Sequence, residues 1–274
     1  RTSSPSSKPP NNQVMSLEID LRGRRALVTG ASTGVGAAVA RVLARAGCRV
    51  AGTGRVATDH PRAVELLGEL GSEAIYLSGD LVDPEVPARL VNEAVAALGG
   101  LDLVVSNAGA NCFHGADDTS EQDWHDCMEL NLASHWRLAR AARPHLAQAG
   151  PGVFLVMTSN HSDHTIPGCF PYNVAKTALT GLVRALAIEW GPRIRVVGVA
   201  PGFIDTPGNQ AWFDSFPDPA AERRRTEARH PLGRIGTPEE VGHLCAFLAS
   251  PLCGFMTGNT LLMDGGRAAL MQDD

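Results

Sequence analysis

Short apolar runs alternate along the chain with longer segments in which apolar residues recur at helical spacing. The apolar runs predict seven β-strands, at 26–29, 49–53, 74–77, 101–106, 153–158, 194–199 and 259–263. Between them, segments flanked by glycine or proline predict helices at 36–46, 84–97, 122–147, 173–190 and 238–249. Strands that alternate with helices in this way form a parallel sheet covered by helices on both faces. We therefore predict a single α/β domain with a doubly wound, seven-stranded parallel sheet.

The first residues of the chain have a different composition. Residues 1–14 are rich in serine and proline and contain almost nothing that could be buried. Such a segment cannot offset the entropy cost of ordering, so we expect residues 1–14 to be a disordered extension and residues 15–274 to be the folded domain. A mitochondrial or plastid transit peptide is an alternative, but the segment has only two basic residues and no amphipathic period.

Charge and cysteine content narrow the functional classes. The formal net charge of -5 argues against nucleic-acid binding, because such proteins need a basic surface to displace counterions. The 6 cysteines include no C-x-x-C pair and several lie in apolar stretches, which is typical of reduced thiols. No apolar run approaches the roughly 20 residues that span a bilayer. We expect a cytoplasmic protein with a small-molecule partner and no membrane contact.

A glycine-rich segment follows the first predicted strand and leads into a helix. Residues 29–36 read T-G-A-S-T-G-V-G, with glycines at Gly30, Gly34 and Gly36. Glycines let backbone amides approach a pyrophosphate, and the helix that follows directs free N–H groups and its positive dipole end at the same point. This order of strand, turn and helix predicts a dinucleotide site of the Rossmann type. An ordinary glycine-rich turn is the alternative for this segment taken alone.

The spacing of these glycines resembles that of the classical short-chain dehydrogenase/reductase family, and motifs further along the chain agree in order. Asp80-Leu81 follows the third strand, Asn107-Ala108-Gly109 the fourth and Pro201-Gly202 the sixth. Near the end, residues 236–240 and 257–266 also resemble the family, so the likeness covers roughly residues 21–266. The resemblance implies that Asp80 contacts the adenine edge, that Asn107 and Gly109 line the cleft and that Thr206 holds the nicotinamide carboxamide. The residues expected against the cofactor are Gly30, Ser32, Thr33, Gly34, Val35, Gly36, Arg55, Asp80, Leu81, Asn107, Ala108, Gly109, Tyr172, Lys176, Pro201, Gly202, Ile204 and Thr206.

The end of the second strand bears on the choice between the two nicotinamide cofactors. An acidic residue about 20 positions beyond the first glycine would bind the ribose 2′-hydroxyl of NAD. Gly54 and Arg55 stand there instead, and a guanidinium can pair with a 2′-phosphate through a forked contact. The sequence therefore favours NADP(H). NAD(H) stays open because Thr33 occupies a position in the glycine-rich segment that is basic in NADP-using relatives.

Tyr172 and Lys176 are the candidate proton-handling pair. They are four residues apart on one predicted helix, hence on one face of it. Reduction of a carbonyl needs a proton donor at the developing alkoxide, and a nearby ammonium is expected to lower the pKa of a phenol toward the working range. Ser159, at the end of the fifth strand, would hydrogen-bond the substrate oxygen. The resemblance adds Asn131, which would hold a water between Lys176 and solvent, as the fourth catalytic residue.

The substrate pocket is expected beside Tyr172 and under a mobile lid at about 203–232, whose form resembles that of the family. The segments 110–114 and 169–171 are expected beside the substrate, and the expected pocket residues are Asn160, His161, His164, Cys169, Phe170, Phe203, Trp212 and Phe213. The aromatic residues of the lid could instead form a small core of their own. We expect no metal, since His161, Asp163 and His164 lack a third ligand at metal-like spacing.

The sequence thus predicts an NADP(H)-dependent carbonyl reductase or alcohol dehydrogenase. One alternative is an NAD-dependent sugar or polyol dehydrogenase, suggested by the polar run 160–164. An alternative of another class is a nucleotide-sensing regulator that binds cofactor without turnover. Arg223, Arg224 and Arg225 could attract a phosphate-bearing substrate such as an acyl carrier thioester, although a solvated helix face explains them as well. The family habit implies a homotetramer, or a dimer, built on the long helices after strands four and five.

Overall fold

A computed structural model describes residues 18–271, so the expected disordered extension at 1–14 lies outside the described residues. Seven of the nine strands form one sheet in which every pair of neighbours is parallel, in the order β3-β2-β1-β4-β6-β8-β9. The other two, β5 and β7, form a small antiparallel pair. All seven predicted strands of the sheet are confirmed. The strands are β1 Arg25–Thr29, β2 Arg49–Gly54, β3 Ile75–Ser78, β4 Leu103–Ser106, β5 Phe113–His114, β6 Gly152–Met157, β7 Phe170–Pro171, β8 Ile194–Pro201 and β9 Thr260–Met263.

Nine α-helices connect these strands within the described residues. They are α1 Gly34–Arg45, α2 Pro61–Leu70, α3 Val86–Leu98, α4 Glu121–Met128, α5 Ser134–Ala149, α6 Tyr172–Trp190, α7 Pro207–Asp214, α8 Pro219–Ala228 and α9 Pro238–Ala249. Three of them, α2, α7 and α8, were not expected from the apolar pattern. Each buries at most two side chains, so little apolar periodicity marks it in the sequence.

The predicted single helix at 122–147 was wrong in one respect. A five-residue π-helical turn, Glu129–Ala133, separates α4 from α5. Asn131 lies at the centre of this turn and is completely buried. Such turns add a residue to an α-helix and occur often at functional sites, and hydrophobic periodicity does not reveal them.

Successive residues of the strands pack on opposite faces of the sheet. Val28 of β1 belongs to the core that contains α1 and α9, whereas its neighbour Leu27 belongs to the core that contains α3, α5 and α6. The sheet is therefore doubly wound, with a separate hydrophobic core on each face. Strand order reverses between β1 and β4, which is where sheets of this type bind ligands at the carboxyl ends of their strands. Within residues 18–271, every helix is too short or too polar to cross a membrane.

Candidate active site

The residues expected at the site converge on the carboxyl edge of the sheet. The glycine-rich segment follows β1, Arg55 follows β2 and Asp80 follows β3. Asn107 to Gly109 follow β4, Ser159 follows β6, and Gly202 to Thr206 follow β8. Tyr172 is the first residue of α6, and Lys176 lies one turn later. Residues far apart in the chain thus lie at one edge of the sheet.

The glycine-rich segment is packed closely against the loop that follows β4. A Cβ at Gly36 would collide with the carbonyl of Gly30 and would lie 2.6 Å from the Asn107 amide nitrogen. That amide nitrogen donates a hydrogen bond of 2.9 Å to the Thr29 carbonyl. Gly36 is therefore required by the close approach of backbone, and any larger residue would push the two loops apart.

The N-terminus of α1 is open in a way that suits an anion. Thr33 precedes the helix in an extended conformation, forms no side-chain cap, and the first turn contains no acidic residue. By contrast, α4, α8 and α9 are each capped by a side chain, from Ser120, Asp218 and Thr237 respectively. An uncapped N-terminus that follows a glycine-rich turn offers free N–H groups to a pyrophosphate. The chain's own residues therefore fit a dinucleotide here.

Thr29 connects the two loops at the base of this cleft. Its buried hydroxyl accepts hydrogen bonds from the backbone amides of Asn107, at 2.9 Å, and Ala108, at 3.0 Å. Two backbone donors of the loop after β4 are thus satisfied by one side chain from the end of β1. This arrangement ties the glycine-rich segment and the Asn107 loop into one unit.

Thr206 lies across the cleft from the glycine-rich segment. A Cβ at Gly34 would lie 3.5 Å from its Cγ2, so the two segments are in contact. Thr206 also caps α7 by accepting a hydrogen bond of 3.2 Å from Asn209 N. Before it, Gly202 lies against Asp264, which leaves no room for a side chain there. Ile204 is buried and bridges to Gly236.

The far end of the cleft carries the residues that concern cofactor choice. Gly54 ends β2 and is buried, while the side chain of Arg55 is exposed. Asp80 is exposed and accepts a hydrogen bond of 3.2 Å from Val82 N, which fixes the turn after β3. The neighbouring Leu81 is buried.

Tyr172 and Lys176 are close enough to interact. The Lys176 Nζ lies 5.5 Å from the centroid of the Tyr172 ring. It donates a hydrogen bond of 3.1 Å to the Met157 carbonyl at the end of β6, and the side chain is buried. Tyr172 keeps part of its surface exposed to the cleft. An ammonium beside a phenol that faces the cleft is the arrangement expected from the four-residue spacing.

The pKa values of this pair differ from the expectation. Burial raises the pKa of Tyr172 to about 12, and a hydrogen bond with Ser159 opposes the rise only in part. Burial lowers the pKa of Lys176 to about 8. The low-polarity surroundings disfavour both charged forms, and the ammonium does not offset this for the phenolate. At neutral pH the phenol is therefore protonated, and Lys176 is still mostly charged.

Ser159 is buried at the end of β6 and begins a short 3-10 turn, Asn160–Ser162. Its Oγ accepts a hydrogen bond of 3.2 Å from His161 N. Its hydroxyl also makes a long contact of 3.4 Å with Asn160 Oδ1 and lies within hydrogen-bonding reach of the Tyr172 phenol. The turn thus holds the serine hydroxyl beside the phenol.

Asn131 is fixed by contacts on both sides of its amide. Its Oδ1 accepts a hydrogen bond of 3.2 Å from Ala110 N, and its Nδ2 donates one of 3.2 Å to the Cys127 carbonyl. A Cβ at Gly109 would lie 2.9 Å from Asn131 Oδ1 and 3.4 Å from Lys176 Nζ. Gly109 therefore lies in the narrow space between Asn131 Oδ1 and Lys176 Nζ. The four residues predicted to be catalytic thus lie in one site.

Aromatic rings surround Tyr172, among them Phe113 from the segment 110–114 that was expected near the substrate. Phe113 of β5 meets the Tyr172 ring edge-on at 5.7 Å, and the His161 ring meets it edge-on at 6.0 Å. The ring of Phe170 of β7 lies 5.6 Å from that of Trp124, which was not among the expected pocket residues. Phe113 reaches this position through the β5–β7 pair and Trp124 reaches it from α4, and the local sequence pattern indicates neither contact. Burial lowers the pKa of His161.

The other expected pocket residues differ in their exposure. Asn160 is partly exposed, His164 is exposed, and Cys169 is buried. Phe203, Trp212 and Phe213 form one aromatic cluster with ring centroids 5.2 to 5.6 Å apart. Phe213 is fully buried within this cluster, whereas Trp212 is 38% exposed. The segment 203–232 therefore has a small core of its own and presents part of Trp212 at its surface.

Comparison with known proteins identifies the family. Residues 30–268 match the family model described as enoyl-(acyl carrier protein) reductase. The 3-oxoacyl-[acyl-carrier-protein] reductase of Vibrio cholerae is 34% identical over 249 residues, which cover 90% of this chain and 98% of that protein. The chain belongs to the short-chain dehydrogenase/reductase family. It is accordingly an oxidoreductase that uses a nicotinamide nucleotide.

Two further proteins illustrate the range of similar family members. The 3beta-hydroxysteroid dehydrogenase 1 of Eggerthella lenta is 35% identical over 250 residues, covering 90% of this chain and 94% of that one. The crystal structure of a dehydrogenase/reductase from Sinorhizobium meliloti superimposes with a TM-score of 0.82 at 35% identity, covering 91% of this chain and 97% of that one. The predicted family and fold are thereby confirmed.

Proposed function

We propose that this chain is an NADP(H)-dependent oxidoreductase that interconverts a ketone or aldehyde with the corresponding alcohol, with Tyr172 as the general acid and base. The observation that carries the proposal is the Tyr172 phenol, which faces the cleft with Lys176 Nζ 5.5 Å from its ring and the Ser159 hydroxyl beside it. A nucleotide-sensing regulator without turnover would not need these groups together.

The bound nicotinamide would supply or accept the hydride. Tyr172 would donate its proton to the carbonyl oxygen in reduction and take one from the hydroxyl in oxidation. Ser159 would hydrogen-bond the same oxygen and stabilise its developing negative charge. The charged Lys176 would favour the phenolate that forms when Tyr172 gives up its proton. Asn131 would hold a water that links Lys176 to solvent, a role implied by the family resemblance.

The preference for NADP(H) is supported by the end of β2. Gly54 offers no carboxylate that would bind a ribose 2′-hydroxyl and repel a phosphate, and Arg55 next to it is exposed.

The substrate is proposed to enter beside Phe113 and His161 and to be covered by the segment 203–232 acting as a lid. The aromatic rings around Tyr172 suit a carbonyl compound with an apolar group next to the reacting carbon. The relatives named above act, by their names, on a carrier-bound oxoacyl group and on a steroid, so they suggest a broad range of acyl and ring substituents rather than one compound.

The test is turnover with each cofactor and a substrate panel of aliphatic ketones, aryl ketones, steroids and free sugars. Consumption of NADPH or NADH is followed by absorbance, for the wild-type protein and for Tyr172→Phe. We expect NADPH-dependent reduction of apolar ketones, reduced at least a hundredfold in Tyr172→Phe, since general acid catalysis contributes about 10²–10⁴-fold. Tyr172→Phe should still bind NADPH, which shows that the site is intact.

Two results would contradict the proposal. Unchanged turnover in Tyr172→Phe would remove the proton donor from the mechanism. A clear preference for NADH together with free sugars would instead support the NAD-dependent sugar or polyol dehydrogenase.

A further inference from the structure

Two cysteine thiols contact the side-chain amide of Asn131. The Asn131 Nδ2 lies 3.4 Å from the sulfur of Cys112 and 3.6 Å from that of Cys127, in addition to its hydrogen bond with the Cys127 carbonyl. The two thiols also lie within hydrogen-bonding reach of each other. Neither thiol takes part in the proposed reaction, so the mechanism does not account for their position against a catalytic residue.

Cys112 differs from the other cysteines of the chain in exposure and in acidity. It lies between β4 and β5, and it is the one cysteine of the 6 that is not buried. A hydrogen bond with the Cys127 thiol, with smaller contributions from the Asn131 amide and the Lys176 charge, lowers the pKa of Cys112 to about 7, although burial opposes this. Burial raises the pKa of three others, Cys48, Cys169 and Cys245. At neutral pH a substantial fraction of Cys112 is therefore thiolate, the form that reacts with oxidants.

Cys127 is placed to react with an oxidised Cys112. It is completely buried on α4, and its hydrogen bond with Cys112 raises its pKa, so it stays protonated. A thiol beside a reactive cysteine is the arrangement in which a sulfenic acid condenses to a disulfide. In the part of the chain that the structure describes, no group of three or more His, Cys, Asp or Glu side chains could hold a metal ion, so metal binding does not account for the pair.

We propose that hydrogen peroxide joins Cys112 and Cys127 in a disulfide, and that this bond reversibly inactivates the enzyme. The Cys112 thiolate attacks one oxygen of the peroxide, the O–O bond breaks, and Cys112 becomes a sulfenic acid. The other oxygen leaves as hydroxide and takes up the proton that the thiol had released, which gives water. The Cys127 thiol then attacks the sulfenic sulfur, so that the S–S bond forms and a second water leaves. Two thiols are thus oxidised to one disulfide, and one peroxide is reduced to two waters.

The disulfide acts on the active site through the loop that carries Cys112. An S–S bond is much shorter than a contact between two thiols, so one of the two sulfurs has to move. The partner thiol is fixed in a helix, whereas Cys112 lies in a loop. That loop also carries Ala110, whose N–H donates to Asn131 Oδ1, and Phe113, whose ring meets Tyr172. Formation of the disulfide therefore displaces the contacts of two catalytic residues at once.

The test combines peptide mapping with turnover of the full chain. The wild-type protein is treated with hydrogen peroxide at neutral pH, alkylated, and digested with an endopeptidase that cuts after glutamate, as at Glu121 between the two cysteines. We expect the peptides 94–121 and 122–129 to be joined until dithiothreitol is added. Turnover should fall about a hundredfold, because a shift of about 1 Å at a catalytic group costs that much, and dithiothreitol should restore it.

The inference rests on the proposed function only for the turnover measurement. If the untreated wild type turns over no substrate of the panel, the proposed function fails, while joined peptides still establish the thiol pair. The two proposals can thus fail separately.

Cys127→Ser removes the second thiol and should leave turnover unchanged before treatment. Its Cys112 sulfenic acid has no thiol to react with, so peroxide oxidises it further to a sulfinic acid, which dithiothreitol does not reduce. Inactivation of this variant should therefore be irreversible. Cys127→Ala, which places no hydroxyl in the buried site, should behave in the same way. Cys48→Ala is the matched control, because it removes a buried cysteine outside the site and should keep the reversible loss.

Three results would overturn the proposal. The first is oxidation of the wild type at other cysteines while Cys112 and Cys127 stay unjoined. The second is joined peptides with unchanged turnover. The third is a loss of turnover in Cys127→Ser that dithiothreitol reverses as fully as in the wild type.

Discussion

The hydroxyl of Thr29 offers the sharpest test of how the cofactor cleft is held together. Thr29→Val keeps the shape and the preference for a strand but removes the acceptor for the amides of Asn107 and Ala108. Each buried donor left without a partner costs about 1–3 kcal/mol. Because the two amides are only partly buried, water can reach one of them. We expect a loss of about 3 kcal/mol in the free energy of unfolding.

The assay is urea denaturation followed by tryptophan fluorescence, with calorimetry as a second probe. A loss of this size lowers the Tm of a domain of this length by about 6–12 °C. The affinity for NADPH should fall as well, because the same bonds hold the loop that lines the cleft. Thr53→Val is the matched control: Thr53 is buried near the end of the neighbouring strand, but its hydroxyl accepts no backbone amide within residues 18–271. If Thr29→Val costs no more than this control, the hydroxyl does not organise the cleft.

Two further predictions concern the pH profile and the lid. Tyr172, with a pKa of about 12, stays protonated across the working range, whereas Lys176, with a pKa of about 8, loses its proton as the pH rises through that value. Carbonyl reduction should therefore be level below pH 8 and fall above it, because the charged Lys176 favours the phenolate that forms when Tyr172 gives up its proton. Alcohol oxidation should rise with pH, because a larger fraction of Tyr172 is then the phenolate that accepts the proton. A kcat/KM for reduction that climbs from pH 8 to 10 would contradict this order. The Arg223 guanidinium joins α8 to Asp205 at the start of the lid segment. Arg223→Ala should raise KM about twofold to fivefold, as expected for an exposed ion pair of about 0.5–1 kcal/mol, and leave Tm nearly unchanged; Arg224→Ala, exposed on the same helix, is the control, and an equal rise there would refute a specific role for Arg223.

Local patterns in the sequence were sufficient for the sheet and for the order of the site. The four central strands, β1, β4, β6 and β8, are almost entirely buried on both faces, and each is followed by a recognisable motif, so these strands and the residues after them could be placed without tertiary information. Tyr172, Lys176 and Ser159 could be placed together in the same way, because Tyr172 begins α6, Lys176 lies one turn later and Ser159 follows β6.

Residues that reach the site through tertiary packing could not be found in this way. The segment 110–114 was expected near the substrate, but the edge-on contact of Phe113 with Tyr172 depends on the pairing of β5 with β7, which joins residues 56 and 58 positions apart. Nothing in the sequence around Tyr76 indicates that its hydroxyl lies against Gly54, because this contact depends on the register of β2 and β3. The fall in the Lys176 pKa also required the structure, since burial outweighs the pair interaction that spacing suggests.

The π-helical turn around Asn131 has a consequence for the lengths of chain that the site can accept. An α-helix advances about 100° per residue, so one residue removed from Glu129–Ala133 would restore regular helix and rotate α4 against α5 by about that angle. Either Asn131 would leave the cleft, or the α5 residues that now pack in the core, such as Leu138, would turn toward solvent. Substitutions in this turn change one contact each. A single deletion would instead change the angle between Asn131 and the residues of α5 that face the core. The number of residues in this turn is therefore constrained more tightly than their identity.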